Sequence, residues 1–455
     1  MIDIKKLKLS KHLKLTLYAV KYFNYYWKTR RLLNDNIWND SEKIRQYQLN
    51  KLKDIIEYSY NYVPYYKELF NKINFSPADF NNLNDITKIP FLTKDLIRDN
   101  RDKLISEVFP RKYLKTEKTS GTSGDHLEFF LDERTSSPVE MAFLAHMWEK
   151  LGYKLYDKCI VMRGEKLKNI IEGKKYWKIN ITINWLSMSA FYLNNNTFPL
   201  YYKKFISFNP RYIITYPSNA YILARYFQEF NKRPGPSLKA IICSSENLFD
   251  WQRKYIEDVF KIKVYNYYGL SEKCAIASEC GDSNILEFYP QYGFVELINN
   301  KNEWCTQEDE EGEIVATGFN NYASPLIRYR TGDIGVYTTC QTNDHPGWLA
   351  VKRIEGRKQN YIIDKNNAIK TAIHLNRPFW DVSETIYAYQ YIQNIPGSMI
   401  LKIHAKEKLN DLQVDEIRKI FDSFYPNFEL QINQVSDIPR SKSGKFKYLI
   451  QNLSI

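Results

Sequence analysis

Residues 240–272 read AIICSSENLFDWQRKYIEDVFKIKVYNYYGLSE. Two short apolar runs, Ala240–Cys243 and Val264–Tyr267, bracket a helical stretch at 249–260. Strand, helix, strand is the reading that such runs and spacings favour. Upstream stand two more strand-like runs, Cys159–Met162 and Tyr212–Thr215. A helical stretch at 218–232, opened by Ser218 as N-cap, leads from the second of them to Ala240. Strands alternating with helices imply an α/β protein with a parallel sheet and right-handed crossovers. Ligands of such sheets bind outside the carboxyl ends of the strands. Those ends carry Arg163, Tyr216-Pro217-Ser218, Ser244-Ser245-Glu246 and Tyr268-Gly269-Leu270-Ser271-Glu272, all polar or turn-forming. A crevice is therefore nominated before any chemistry is assigned.

Outward from this centre, helical spacing dominates residues 41–72 and breaks at Val63-Pro64. Short helices between prolines fit 76–110, a Ser/Thr/Gly loop fits 116–125, and Leu127–Leu131 reads as a strand. Past residue 285 the runs Phe294–Ile298, Glu313–Thr317 and Gly335–Tyr337 suggest a β subdomain. From about 360 a small α+β unit follows, with strands at Met399–His404 and Glu429–Val435 around a helix at 414–424. The expected organisation is a basic segment at 1–40, a large domain at 41–356 with mixed and parallel sheets flanked by helices, and a small mobile α+β domain at 357–455.

The 455 residues, 44% hydrophobic and 26% charged, have the composition of a globular protein with a large core. Only 17 Gly and 17 Pro exclude collagen-like or linker-like architecture. No run approaches the ~18 apolar residues of a membrane span, and no signal-peptide pattern stands at the N-terminus. Six cysteines without paired spacing fit a reducing compartment, so a cytoplasmic setting is expected. Cys274, Cys280, Cys305, Cys340 and His345 hold no Cys-x₂-Cys pair to anchor a zinc site. Net charge is +13, of which residues 1–31 supply +8: nine Lys or Arg against Asp3. The remainder is nearly balanced, which excludes a general nucleic-acid surface. The basic segment is also rich in Leu, Tyr, Phe and Trp. It fits either a solvated helix packed on the main domain or a peripheral contact with the inner face of a membrane.

Thr119-Ser120-Gly121-Thr122-Ser123-Gly124 is a loop of hydroxyls and glycines, suited to polyphosphate oxygens. It lacks the Gly-Lys-Ser/Thr of a P-loop, and alone it is equally a flexible turn. Tyr268-Gly269-Leu270-Ser271-Glu272 ends a strand with a carboxylate suited to magnesium. Arg328-Tyr329-Arg330-Thr331-Gly332-Asp333 offers a carboxylate to ribose hydroxyls. Ile354-Glu355-Gly356-Arg357 follows, and Pro439-Arg440-Ser441-Lys442-Ser443-Gly444-Lys445 lies near the C-terminus. Singly, Glu272 and Asp333 also fit surface or capping carboxylates, and Lys445 an exposed lysine.

In this order and spacing the five segments resemble the motif set of the adenylate-forming (acyl-CoA synthetase) superfamily. Asn61-Tyr62-Val63-Pro64-Tyr65-Tyr66 and Lys88-Ile89-Pro90-Phe91-Leu92-Thr93-Lys94 are similar to phenylacetate–CoA ligases. Val161-Met162-Arg163-Gly164, Tyr216-Pro217-Ser218, Ser244-Ser245-Glu246-Asn247-Leu248 and Pro290-Gln291-Tyr292-Gly293 resemble the CapK-like, capsular-polysaccharide branch. The resemblance runs from about residue 45 to the end.

It implies an ATP-dependent ligase that makes an acyl-adenylate and pyrophosphate, then passes the acyl group to coenzyme A, a carrier-protein thiol or an amine. Ser120, Gly121, Thr122, Ser123 and Gly124 would hold the β,γ-phosphates, with Thr122 among the catalytic set, and Glu272 would bind Mg. Ser244, Ser245, Glu246, Tyr267, Tyr268, Gly269 and Ser271 would surround AMP, and Asp333 its ribose, with Arg357 nearby. Lys445 would stabilise charge developing at the α-phosphate. Arg163, Tyr216 and Ser218 are the substrate candidates, Arg163 fitting an acidic substrate group and a structural ion pair equally. Two departures stand out. Asp125-His126-Leu127 offers no lysine after the phosphate loop, and the hinge near Lys358 and Gln359 lacks an acidic residue. Phenylacetate–CoA ligase activity proper and a non-catalytic nucleotide-binding scaffold at the membrane are the alternatives. The intact lysine motif favours an enzyme.

Overall fold

A computed structural model describes residues 23–118, 127–163, 176–279, 283–340, 345–357, 361–379, 385–440 and 445–453. Its helices are α1 (Phe23–Leu33), α2 (Ser41–Tyr62), α3 (Pro64–Lys72), α4 (Lys94–Asp99), α5 (Ser136–Glu149), α6 (Phe198–Phe208), α7 (Pro217–Glu229), α8 (Asp250–Phe260) and α9 (Asp411–Phe424). Strands β1 (Leu114–Lys118), β2 (Glu128–Asp132), β3 (Cys159–Arg163), β4 (Trp177–Asn180), β5 (Trp185–Ser189), β6 (Tyr212–Thr215), β7 (Ala240–Ser244), β8 (Val264–Gly269), β9 (Ile276–Glu279) and β10 (Leu286–Phe288) come first. They are followed by β11 (Gly293–Ile298), β12 (Glu311–Gly318), β13 (Tyr329–Tyr337), β14 (Ala350–Arg357), β15 (Tyr361–Ile363), β16 (Ile369–Thr371), β17 (Ile386–Ile395), β18 (Ser398–Ala405), β19 (Glu429–Gln434) and β20 (Leu449–Gln451). The α/β class expected from the sequence is the class observed. The chain forms two compact units, 1–154 with 267–354 and 155–266 with 355–455.

In the first unit, Asp40 caps α2 by accepting from the amides of Glu42 and Lys43. The helix ends at Val63 because Pro64 has no amide to continue it and opens α3 instead. Leu52, Ile55, Ile56, Tyr66 and Phe70 from these helices form one core with Leu286, Phe288, Ile314, Ala316 and Tyr329 of the sheet. Its strand order is β11-β12-β13-β14-β10-β9. Tyr267–Gly269 of β8 pair antiparallel with β9. β1 and β2 form an antiparallel pair on either side of residues 119–126.

The second unit orders its strands β7-β6-β3-β5-β4. β3 runs parallel to β5 and β6, and β6 to β7, while β4 closes the edge antiparallel to β5. Phe198, Tyr201, Phe205, Tyr221, Phe227 and Ile256 from α6, α7 and α8 pack onto Ile160, Leu186, Ile213 and Ile241. A four-stranded sheet, β19-β18-β17-β20, completes the unit and takes Ile417 and Phe421 of α9 into its own core.

One local expectation is corrected. α7 starts at Pro217, with Tyr216 in the N-cap position and Ser218 one residue inside the helix. Proline at the first helical position sets the start, since its missing amide costs the helix nothing there. Helices α5 and α6 and the β4–β5 pair had gone unread. α5 is apolar around most of its circumference, burying Val139, Ala142, Phe143, Ala145, Met147 and Trp148, so no amphipathic stripe marks it.

Inside the first unit, His146 lies on α5 at 3.4 Å (Nδ1) from the Tyr289 hydroxyl. Burial, then the nearby Lys150 and Arg30 cations, lower its pKa from 6.5 to about 3. The folded protein thus holds a neutral imidazole. Its contribution to stability is complete above about pH 6.5 and is lost as pH falls towards 3. Urea midpoints should therefore decline more shallowly between pH 6.5 and 4 in His146→Gln than in the parent chain. Equal slopes would mean the imidazole titrates normally.

Candidate active site

In the second unit, sheet register sets the candidate residues level with one another. Met162 lies opposite Thr215, and Thr215 opposite Cys243. One step further along the parallel strands come Arg163, Tyr216 and Ser244, at the carboxyl edge where such sheets bind ligands. The Met162 carbonyl there accepts from Thr215 Oγ1 (2.7 Å) and Asn219 Nδ2 (3.1 Å). Ser245 takes a left-handed conformation, φ 69°, unusual for a residue with a side chain. Its carbonyl receives Lys445 Nζ at 2.9 Å. The same ammonium stands 5.4 Å from the centre of the Tyr216 ring, and the Arg163 guanidinium 5.8 Å from it, so two cations flank one aromatic ring.

Glu246 follows. Its Oε2 accepts from the Ser218 amide at 3.2 Å in the first turn of α7, and its Oε1 is closed off from solvent without a hydrogen bond. Burial raises the carboxyl pKa, while hydrogen bonds from Ser218 and the charges of Lys445 and Arg440 oppose the rise. The Arg440 guanidinium bonds Asn219 Oδ1 and lies 4.4 Å over the Phe446 ring. Burial lowers its pKa to about 10, with Glu246 pulling the other way. Arg440 thereby fastens the lysine-bearing segment to the residue that also braces the Met162 carbonyl. Asn247 Nδ2 donates to the Glu355 carbonyl at 2.8 Å, beside Gly356, whose φ of 140° favours glycine.

In the first unit, the Arg-Tyr-Arg-Thr-Gly-Asp segment is a set of side-chain anchors. Arg328 forms a two-pronged ion pair with Glu296, Nε to Oε2 at 3.1 Å and Nη2 to Oε1 at 2.8 Å, and both residues are buried. Its Nη1 donates to the Ile89 carbonyl at 2.8 Å, and its guanidinium covers Phe91 at 4.2 Å. Tyr329 donates its hydroxyl to Glu272 Oε1 at 2.7 Å. Arg330 pairs with Glu313 on β12 at 2.7 Å. Gly332 has φ 80° where the β12–β13 register slips, and Asp333 Oδ2 accepts from the Tyr268 hydroxyl at 2.7 Å. Burial and the neighbouring carboxylates push both phenols well above their ordinary pKa, so they stay protonated donors.

Glu272 Oε2 has no hydrogen-bond partner among the described residues. A single carboxylate oxygen offered this way suits a magnesium ion that takes its remaining ligands from water and phosphate. The described residues contain no group of three or more His, Cys, Asp or Glu placed to hold a metal by themselves.

The second unit thus gathers Arg163, Tyr216, Ser218, Ser244, Ser245, Glu246 and Lys445. The first carries Glu272, Tyr267, Tyr268, Gly269 and Asp333, with Ser271 exposed. Arg357 is the last residue of β14. Ser120, Gly121, Thr122, Ser123 and Gly124 lie outside the described residues, as do Lys358 and Gln359. Sequence reasoning assigned no role to Tyr329 or Arg440. Tyr329 and Arg440 stood inside quoted motifs, but only their distant partners give them one.

This architecture is that of the adenylate-forming ligases. A structure of 2-hydroxyisobutyryl-CoA ligase bound to its acyl-AMP matches with TM-score 0.70 at 14% identity, covering 90% of this chain and 89% of that one. An anthranilate CoA ligase bound to anthranoyl-AMP matches with TM-score 0.50 at 12% identity, over 80% of this chain and 73% of that one. In sequence the chain is similar to CapK and to phenylacetate–CoA ligases. Residues 362–452 match the CapK C-terminal domain. Protein CapK of Staphylococcus aureus is 27% identical over 87% of both chains. The phenylacetate–coenzyme A ligase of Thermus thermophilus is 23% identical over 90% of this chain and 96% of its own length.

The Arg328–Glu296 pair yields a stability prediction. Arg328→Ala leaves a buried carboxylate uncompensated, a class of change that costs ~3–5 kcal/mol. Chemical denaturation should show that loss, with a much smaller one for Glu296→Gln/Arg328→Met together. A loss below ~1 kcal/mol in Arg328→Ala would place the pair in solvent.

Proposed function

We propose that the chain activates a carboxylic acid with ATP, releasing pyrophosphate, and passes the acyl group of the resulting adenylate to coenzyme A, a carrier-protein thiol or an amine. The observation that carries this reading is Lys445 Nζ held 2.9 Å from the Ser245 carbonyl at the carboxyl edge of the parallel sheet. An oxygen of the substrate carboxylate attacks the α-phosphorus, and the bond from that phosphorus to the pyrophosphate oxygen breaks. Negative charge grows on the non-bridging oxygens, where an ammonium positioned in advance lowers the barrier. Tyr216 and Ser245 fix where that ammonium sits. Arg440 acts through them, by holding the segment that delivers Lys445. Ser244, Ser245, Glu246 and Tyr267–Gly269 are proposed to flank adenine, Asp333 and Arg357 to serve the ribose, and Ser120–Gly124 the β,γ-phosphates. Glu272 would hold magnesium, which supplies charge neutralisation for the phosphates.

The likeness to Protein CapK of Staphylococcus aureus is in line with the capsular-polysaccharide branch that the sequence motifs resemble, and we propose surface or capsular polysaccharide metabolism as the setting. The nearly end-to-end likeness to a phenylacetate–coenzyme A ligase supports a second reading, activation of an aromatic acid to its CoA thioester.

Pyrophosphate release from ATP and magnesium, measured across aromatic, fatty, amino and sugar acids, tests both. One acid class should give a signal, and Lys445→Ala should lower it by about two to three orders of magnitude. Phenylacetate as the sole active acid, with a free CoA thioester formed, would select the second reading. Nucleotide binding without turnover on any acid would instead describe a scaffold.

A further inference from the structure

Helix α1 presents two chemically different faces. Its inner face is settled within the first unit. Thr29, Arg30 and Leu33 are buried, the Arg30 guanidinium is ion-paired with Glu149 of α5, and Thr29 Oγ1 donates to the Tyr25 carbonyl at 2.9 Å. With that face fixed, Phe23, Trp27 and Arg31 project at four-residue intervals on the other, beside Asn24 and Lys28, and all five are exposed. Phe23 is 54% and Trp27 46% accessible, values unusual for such large apolar side chains on a helix already docked by its opposite side. The two exposed rings meet edge to face at 5.5 Å, and the half-buried Tyr26 closes on Trp27 at 5.3 Å, so the three aromatics form one cluster.

The charged residues on the same face of the helix, Lys28 and Arg31, are basic. Helix α1 contains no Asp or Glu, and residues 1–22 carry six lysines against Asp3. We infer that the outer face of α1, led by Phe23 and Trp27 and carrying Lys28 and Arg31, docks on an anionic lipid surface. Aromatic rings at the headgroup level with cations beside them are the chemistry of an interfacial helix. A convex helix face mixing two rings with long cations offers no groove to a globular partner, whereas lysine and arginine stems lie readily along a lipid boundary. No described helix is long and apolar enough to cross a membrane, in keeping with a seat on the surface. The inference is independent of the ligase assignment.

Co-sedimentation of the full chain with vesicles tests it. With ~30% phosphatidylglycerol in phosphatidylcholine, the chain should bind at low salt and lose about tenfold or more in affinity at 0.5 M salt, where screening shortens the reach of charge to a few ångströms. Pure phosphatidylcholine should bind weakly. Phe23→Ala/Trp27→Ala should weaken binding about tenfold, and Lys28→Glu/Arg31→Glu should do so by reversing charge while both rings stay in place. Both variants should keep the parent's circular dichroism and pyrophosphate release. Equal binding to neutral and anionic vesicles would overturn the inference. So would failure of the parent chain to bind at low salt, or unchanged binding by both variants, which would reassign the exposed rings to a protein partner.

Discussion

The two-pronged ion pair between Arg328 and Glu296 is the constraint on which the first unit's chemistry depends. A guanidinium and a carboxylate taken out of water must satisfy each other almost completely, and here Arg328 also spends its last prong on the Ile89 carbonyl. That demand fixes where β13 begins relative to β11 and to the Lys88–Leu92 segment. Everything downstream follows along the strand. Tyr329 meets Glu272, Arg330 meets Glu313, and after the slip at Gly332 Asp333 faces Tyr268. Asp333 and Glu272 are each held by a phenol that burial keeps protonated.

The second unit reaches precision by another route. Its parallel strands are apolar on both faces, so register is set by packing, and the polar residues appear only where the strands stop. Lys445 comes to that edge from a segment remote in sequence. It is held there by the Ser245 carbonyl, the Tyr216 ring and the neighbouring Arg440–Asn219 bond. The left-handed turn at Ser245 is a local cost offset by this arrangement.

Much of this was legible in the sequence for a definite reason. Buried parallel strands such as Tyr212–Thr215 and Ala240–Ser244 are continuous apolar runs with abrupt polar ends, and those ends supplied the candidate residues directly. What was not legible depended on distance or on the absence of periodicity. Helix α5 is apolar on nearly every side, so no stripe announces it. The start of α7 was misplaced because Ser218 has N-cap chemistry, yet Pro217 before it dictates the helix start. The Arg440–Asn219 contact joins residues 221 apart, and Glu296 and Glu313 look like ordinary strand residues until their arginines are placed. Local pattern reports which elements form. It is silent on which buried charges find one another.

The central claim is that a carboxylate oxygen of the substrate becomes bonded to the α-phosphorus of ATP. Isotope transfer tests this without reference to the acceptor. With an active acid labelled by ¹⁸O in its carboxylate, mass spectrometry of the released AMP should show one labelled oxygen per turnover, with pyrophosphate unlabelled. Label in inorganic phosphate instead would mean attack at the γ-phosphorus and an acyl-phosphate route, and would contradict the account.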